Sequence, residues 1–372
     1  MTRVAIVHDW LDRTMGGAER VTLEIARMFP GAPVYTLLFD GSKHHGDLDP
    51  GRVVTSRLQR LPAWMRRRPR YLLPLIPGAV EAWDFSKFDV VISSSAAFVK
   101  NIRTPVETRH VCYCHSPMRF AWDYWPRYLD EMRVGPLRRM AIRAVVGRMR
   151  RWDLRGVAGV DSFVANSATT RRRIRTYYRA DSTIVYPPVE TTGLAPAAQR
   201  ADEYVTLATL SEYKCIGLAV QAFSAAGRRL AIIGDGPERK RLEAMAGPSI
   251  RFTGHVSDTE RARLLGSAAG LIFPNEEDFG IAAVEALASG TPVIGFARGG
   301  LTETIVPGET GVLFEVQTVA ALNQAVDAAE SQRWNANVMR RAAARYAPDR
   351  FRSELRSALA AAIDTPGRSV SG

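Results

Sequence analysis

Cysteine is scarce in this chain of 372 residues, which holds only Cys112, Cys114 and Cys215. A single C-x-C pair, with no second pair and no histidine set at ligand spacing, is not a zinc pattern. The three therefore read as buried or partly buried free thiols of a reducing compartment. No uncharged run approaches the ~20 residues that a membrane-spanning helix needs, and no signal peptide is visible. Secretion and spanning are accordingly not expected, and Met1-Thr-Arg-Val-Ala-Ile-Val7 already reads as structure. Low-complexity tracts and repeats of about 20–50 residues are also missing. Acid is in short supply: 38 Asp and Glu face 50 Lys and Arg, a net charge of +12. The shortage is confined to one half. Residues 1–190 hold 31 basic against 18 acidic side chains, and the remainder 19 against 20. An anionic partner is implied for the first half alone: nucleic acid, a phosphorylated substrate or an anionic membrane.

What is present describes a globular protein, with 46% apolar and 24% charged residues. The length exceeds one ordinary core and predicts two domains, with disorder only at Thr365–Gly372. Arg3–His8 is a short apolar run, followed by Gly16-Gly17 and an amphipathic stretch Ala18–Met28: strand, glycine turn, helix. Further apolar runs at Val34–Leu38, Val90–Ser93, Val111–His115 and Ser162–Ala165 are separated by helix-like segments, notably Val134–Leu154 and Ser167–Tyr178. Such alternation implies a parallel sheet covered on both faces. Tyr186-Pro-Pro-Val189 and the Ala/Thr/Pro-rich stretch to Ala201 break it and read as a linker. Alternation restarts with Tyr204–Thr209, Leu218–Ala226 and Arg229–Ile233, and runs on through Arg251–Phe252, Leu271–Phe273, Pro292–Gly295 and Gly311–Phe314. The predicted class is α/β: two Rossmann-like, doubly wound parallel-sheet domains facing a cleft, over 1–187 and 203–346. Residues 188–202 are the linker, and 347–372 supply a last helix, Asp349–Ile363, and the tail. In open α/β sheets ligands bind beyond the carboxyl ends of the strands, so chemistry is sought in the loops there.

The loop Pro274–Phe279 follows one such strand and feeds a helix from Gly280 to about Ser289. It delivers Glu277 to the cleft beside the free N–H groups of Gly280 and Ile281. A carboxylate there can hold sugar hydroxyls, and the helix amides suit a phosphate. Glu285, further along the helix, suits the two hydroxyls of a ribose. Gly234-Asp-Gly236-Pro237 after the strand Arg229–Ile233 lacks the third glycine of a dinucleotide fingerprint, since Arg239 stands there. It fits a base- or phosphate-binding turn or a plain strand–turn–helix connection, and disfavours a dehydrogenase.

Glu277-x7-Glu285, with Asp278-Phe279-Gly280 inside and Ala286-x-Ala-Ser-Gly-Thr-Pro-Val-Ile294 behind, closely resembles the signature of glycosyltransferase family 4. The resemblance extends over nearly the whole chain. Gly16-Gly17-Ala-Glu19 is similar to the family's first glycine loop, and Tyr113-Cys-His115-Ser-Pro-Met-Arg119 to the segment carrying its active-site histidine. Gly234–Pro237 and Arg298-Gly-Gly300 resemble two further donor-side loops. The resemblance implies the GT-B fold, retention of configuration, no metal and no cofactor beyond a nucleotide-sugar substrate. The nearest subgroup is the mannosyltransferases of bacterial exopolysaccharide and O-antigen assembly, acting in lipopolysaccharide-type surface polysaccharide synthesis. By the same resemblance Glu277 and His115 contact the transferred sugar, Glu285 the ribose, and Lys214 the departing diphosphate. His115 binds the sugar or steadies leaving-group charge, and the last helix crosses back to the first domain. Where the family has a second basic residue this chain has Cys215, and Gly217 stands where an acid is common. Asp47-Leu-Asp49 looks like a metal-binding D-x-D but lies in a loop of Gly, Ser and Pro, and reads as a turn with solvated acids.

The basic excess gathers in Leu61–Leu73, where Arg66, Arg67, Arg68 and Arg70 interleave with Trp64 and Tyr71. It continues in Arg138, Arg139, Arg143, Arg148, Arg150 and Arg151 along one helix. Cations beside aromatic and aliphatic groups suit an anionic bilayer, and no nucleic-acid module is visible. With Arg119, Arg66–Arg68 are the candidates for acceptor and membrane contact. The expectation is a cytoplasmic enzyme, peripheral on the inner face of the cytoplasmic membrane. It moves a hexose, mannose from GDP-mannose, onto a lipid-linked oligosaccharide, and domain closure excludes water. The alternatives are a non-catalytic sugar-nucleotide-binding protein, favoured by Cys215 and Gly217, and a GT-B sugar-nucleotide epimerase.

Overall fold

The computed structural model describes residues 2–12, 16–43, 48–123 and 135–364, apart from the side chains at 69, 70 and 138. Asp47, the tail Thr365–Gly372 and the side chains of Arg70 and Arg138 therefore lie outside the described residues. The chain divides into two compact units, one holding Met1–Tyr186 with Phe351–Gly372 and the other Pro187–Arg350. Each unit carries its own sheet.

In the first unit seven parallel strands lie in the order β3-β2-β1-β4-β5-β6-β7. They are β1 Val4–Leu11, β2 Val34–Phe39, β3 Val53–Thr55, β4 Val90–Ser95, β5 Arg109–Cys114, β6 Ser162–Ala165 and β7 Ser182–Ile184. The central strands are apolar without alternation because both faces are covered. Ala5 and Val7 point into one buried cluster with Leu72, Ile76 and Trp152. Ile6 and Leu11 point into the other, with Val21, Ile25, Phe351, Leu355 and Leu359. The second cluster is supplied by the helix Gly17–Met28 and by residues 351–364, which Glu24 also holds through an ion pair with Arg352 at 2.5 Å.

The second unit has six parallel strands in the order β10-β9-β8-β11-β12-β13. These are β8 Tyr204–Leu207, β9 Leu230–Ile233, β10 Ile250–Gly254, β11 Leu271–Phe273, β12 Val293–Phe296 and β13 Gly311–Phe314. Phe223, Ile232, Ile272, Ile294, Leu322 and Val326 build its main core.

Three differences from the sequence reading have local causes. Strands β3 and β7 were not expected, since each is three residues long, only half-buried and has a single neighbour. The helix expected over Ser167–Tyr178 is an α-helix Ala168–Arg173 that widens into a π-turn, Ile174–Tyr178, and stops at left-handed Arg179 (φ 54°). Pro187–Ala201 has irregular backbone, yet it is fastened to the second unit. The Val189 amide donates to Tyr346 O (2.8 Å) and Ala197 to Gly266 O (3.0 Å).

Candidate active site

Strand order reverses between β1 and β4 in the first unit, and between β8 and β11 in the second. At such a reversal the flanking loops part and leave a crevice at the carboxyl ends of the strands. His115 reaches the first of these points through Ser94 on β4, and Lys214 and Glu277 meet at the second.

In the first unit, His8 on β1 is in register with Ser94 on β4, and both are buried. The His8 Nδ1 lies 2.8 Å from the Ser94 carbonyl oxygen. A carbonyl only accepts, so this ring nitrogen carries the proton. Asp9, next along β1, is equally buried. Its two oxygens accept the amides of Ala96 (2.6 Å), Ala97 (2.9 Å), Phe98 (2.8 Å) and Val99 (3.0 Å), which fixes the turn after β4.

His115 follows β5 and is 9% exposed. Its amide extends the sheet by donating to Ser95 O at 2.8 Å. Its own carbonyl accepts from Asn166 Nδ2 at 3.0 Å and Thr170 Oγ1 at 3.2 Å. The ring is wedged between Tyr113 and His8, with centroids 5.2 and 6.3 Å away, and its Nε2 sits 2.8 Å from Ser94 Oγ. Burial, reinforced by the nearness of His8, pushes its pKa down to about 3. The ring is therefore neutral at pH 7. Either role expected of His115, binding the sugar or steadying leaving-group charge, would therefore fall to the hydrogen bonding of a neutral ring.

Gly16 and Gly17 begin the helix on the same strand–turn–helix unit. The Gly16 amide donates to Glu19 Oε2 at 3.1 Å, and a Cβ there would meet that oxygen at 2.6 Å. Arg119 starts the short helix Arg119–Trp122 four residues after His115. Arg66, Arg67 and Arg68 lie at the end of the helix Ala63–Arg66, beside exposed Trp64. Arg66 Nε donates to Leu61 O at 3.1 Å, while Arg67 and Arg68 are exposed. Arg150, read with the arginines suited to an anionic bilayer, turns inward instead. It donates to Ala121 O at 2.6 Å and lies over the Trp122 ring.

In the second unit, Lys214 follows β8 and Glu277 follows β11, so the two flank the reversal. Lys214 Nζ pairs with Glu277 Oε1, and Asn275 Nδ2 donates to the same oxygen at 3.2 Å. Asp278 is half-buried and Phe279 is buried against Tyr346. The helix itself runs Ile281–Ala288, capped by Gly280 at φ 92°. Among the described residues the Gly280 and Ile281 amides have no acceptor. Glu285 is 2% exposed, with Arg261 Nη1 at 3.7 Å from its Oε1.

The glycines here are explained by close packing of backbone. A Cβ on Gly299 (φ 68°) would lie 2.0 Å from Glu277 O, and one on Gly300 would lie 2.3 Å from the Phe279 Cα. Arg298 precedes them with its side chain exposed. Gly234 and Gly236 press in the same way against Ala208 O and Leu210 O, at 2.0 and 2.4 Å for a built Cβ. Cys215, at φ 53°, accepts from Gln317 Nε2 at 3.4 Å, and that amide also donates to Pro274 O at 2.8 Å. Gln317 thus ties the Glu277 loop to the Lys214 turn where a second cation was expected.

Sequence reasoning missed His8, Ser94, Thr22, Asn275, Arg261 and Gln317. The first two had a signal: the His-Asp pair within an apolar strand, and three serines closing the strand that follows.

Two family models match the chain, glycosyltransferase family 4 over residues 15–192 and glycosyl transferases group 1 over residues 196–348. The chain belongs to the GT-B glycosyltransferases. A Mycobacterium tuberculosis relative named GDP-mannose-dependent alpha-(1-6)-phosphatidylinositol dimannoside mannosyltransferase is 49% identical over 80 residues, 21% of each chain. The glycogen synthase of the same organism is 38% identical over 106 residues, 27% of this chain and 26% of its own length. The curated relatives are thus matched over about a quarter of their length. The solved structure of Anabaena HepE in complex with UDP and glucose has the same GT-B fold, with a TM-score of 0.67 at 14% identity. That likeness covers 95% of this chain and 99% of HepE.

Proposed function

We propose that this GT-B protein is a retaining hexosyltransferase that takes mannose from GDP-mannose and places it on a lipid-linked oligosaccharide in bacterial surface polysaccharide synthesis. The observation that carries the reading is the Lys214–Glu277 pair, set at the reversal of the second sheet beside the bare amides of Gly280 and Ile281. Glu277 accepts hydroxyls of the sugar, and Glu285 those of the ribose. Lys214, Arg298 and the two amides face the diphosphate, whose growing charge as the glycosidic bond breaks is the largest electrostatic demand of the reaction. No step requires a metal. The neutral ring of His115 serves as a hydrogen-bonding group for a hydroxyl. The M. tuberculosis relative, by its name, supports GDP-mannose; HepE, seen with UDP and glucose, marks UDP-glucose as the donor to compare.

The acceptor reading draws support from an exposed surface of the first unit. Trp64, Tyr71 and Leu75 stand near Arg67 and Arg68 in sequence, and Leu137, Met140 and Val145 share a helix with Arg143 and Arg148. Among the described residues no helix is long and apolar enough to cross a membrane. Apolar side chains amid arginines fit a peripheral anionic surface.

The test is E277A. Donor at ~100 times its dissociation constant stabilises the wild type by about 2.7 kcal/mol. E277A loses that thermal shift with GDP-mannose and loses transfer, and unchanged values for both refute the assignment. Donor incubated alone, without acceptor, yields no epimer.

A further inference from the structure

Two arginines stand two residues apart on the helix Asp258–Ser267, and they are used differently. Arg263 is exposed and lays its fork against Glu260, with both contacts at 2.7 Å. That is a solvated pair of small consequence. Arg261 turns inward, its side chain only 19% exposed. Its Nη2 reaches Asp258 at 3.1 Å, but Asp258 is 92% exposed and water competes for it. Its Nη1 lies 3.7 Å from Glu285 Oε1. Its Nε is buried and has no hydrogen-bond partner among the described residues. Burying a guanidinium is costly, and leaving one of its N–H groups without an acceptor adds to the cost. A side chain that served only the surface would turn out as Arg263 does.

The two helices decide where Arg261 and Glu285 meet. Asp258–Ser267 follows β10 and Ile281–Ala288 follows β11, so both begin at the carboxyl edge of the second sheet. Helical side chains lean toward the N-terminus of their helix. Arg261, fourth in the first helix, and Glu285, fifth in the other, are thereby carried back toward that edge. The frame around them is fixed. Ser257 Oγ caps the first helix by accepting the Glu260 amide at 3.2 Å. Thr291 Oγ1, just beyond the second, donates to Leu265 O at 2.6 Å and ties the two together.

A separation of 3.7 Å is too long for a hydrogen bond between Arg261 and Glu285. It is a span that one oxygen bridges when it sits about 2.8 Å from each. The bridging group must give a proton to the carboxylate and accept one from the guanidinium. A hydroxyl does both, whereas an ionised phosphate oxygen or a carbonyl has no proton to give. We propose that Arg261 is a specificity-determining residue of the donor site, which donates to a ribose hydroxyl whose own proton goes to Glu285. This rests on the reading above that Glu285 holds the ribose. The carboxylate alone takes any proton donor; the guanidinium beside it demands that the same atom also accept. Together they select a hydroxyl, and so a ribonucleotide over its deoxy counterpart.

The experiment is a calorimetric titration of the intact protein with GDP, 2′-deoxy-GDP and 3′-deoxy-GDP. The corresponding uridine series is run in parallel, so that the ratios are read with whichever base the site takes. A hydroxyl held by two charged groups is worth a wild-type preference for the ribonucleotide of at least about thirtyfold over one of the two analogues. R261M weakens the ribonucleotide and hardly alters that analogue, so the ratio falls below about fivefold. R261K keeps a positive charge beside Glu285 without the Nη1 and Nε donors, and its ratio is low as well; it decides the matter if R261M does not fold. Unchanged ratios for both analogues in R261M overturn the proposal. A wild-type ratio in R261K does so too, because charge alone would then suffice. E285Q separates the two readings. If it leaves both ratios as they are in the wild type, the ribose assignment of Glu285 fails. If E285Q lowers them and R261M does not, only the role of Arg261 fails.

Discussion

Asp9 illustrates how much a single residue holds. Its carboxylate carries four amides on two oxygens inside a core where no water replaces them. D9A leaves those donors unmatched and is expected to lower the free energy of unfolding by more than about 3 kcal/mol. Urea denaturation measures it, and a loss below about 1 kcal/mol contradicts this account. His115 makes a prediction with a sign. Its folded pKa of about 3 lies below the ordinary value of 6.5, so between these values the unfolded chain binds the extra proton. Stability contributed by the neutral ring is fully present above pH 6.5 and falls as pH drops toward 3. The slope from this ring is up to about 1.4 kcal/mol per pH unit. H115Q should flatten that part of a stability-against-pH curve, and an unaltered acid limb refutes the assigned shift. His115 itself was legible in the sequence, because a histidine before Ser-Pro at a strand end stands out. Thr22 was not, because an amphipathic helix gives no sign that one inward hydroxyl meets another strand.

Among the elements, loops are held in place by loops from neighbouring strands. Gly299 and Gly300 lie so close to the Glu277–Phe279 backbone that no side chain fits, and the Gly300 amide donates to Glu277 O at 2.8 Å. G299A must move the acidic loop or strain a left-handed residue. We expect a loss of about 1–3 kcal/mol in stability, together with at least a tenfold weaker donor-induced thermal shift titration. Donor binding at wild-type strength would show that the loop does not depend on this contact. The elements legible from sequence were those with a long apolar run between turn residues, such as β4, β5 and β11. Strands β3 and β7 escaped because three half-buried residues at a sheet edge leave no periodicity to read. The loop carrying Glu277 was legible for another reason: Glu277, Gly280 and Glu285 stand at the spacing of the family signature. Gln317 and Arg261, which hold that loop and Glu285, sit in segments whose pattern is that of any surface helix or turn.

At the scale of the whole molecule, charge is what separates the two halves. The excess of basic residues all falls in residues 1–190, which make up most of the first unit. If that surface meets an anionic bilayer, each arginine adds about 1 kcal/mol. The triple variant R66Q/R67Q/R68Q should then bind vesicles containing anionic lipid about a hundredfold more weakly. Wild-type binding should fall as salt rises. Equal binding by both proteins in a vesicle sedimentation assay would place the contact elsewhere. The tandem α/β character was legible throughout, since Pro187-Pro188 interrupts an otherwise regular alternation. The attachment of Pro187–Ala201 to the second unit was not. It depends on single amide contacts such as Val189 with Tyr346, which are far apart in the chain.

The pairing of Lys214 with Glu277 has a consequence for turnover. Each side chain occupies the place that a different part of the donor takes on the proposed reading. A complete sugar nucleotide satisfies both at once when it parts them. On that reading a spent nucleoside diphosphate takes the lysine without replacing the glutamate's lost partner, so the two side chains tend to recombine at its expense. On the proposed reading the same contact works against product inhibition, and makes the intact donor a better ligand than its own phosphate half.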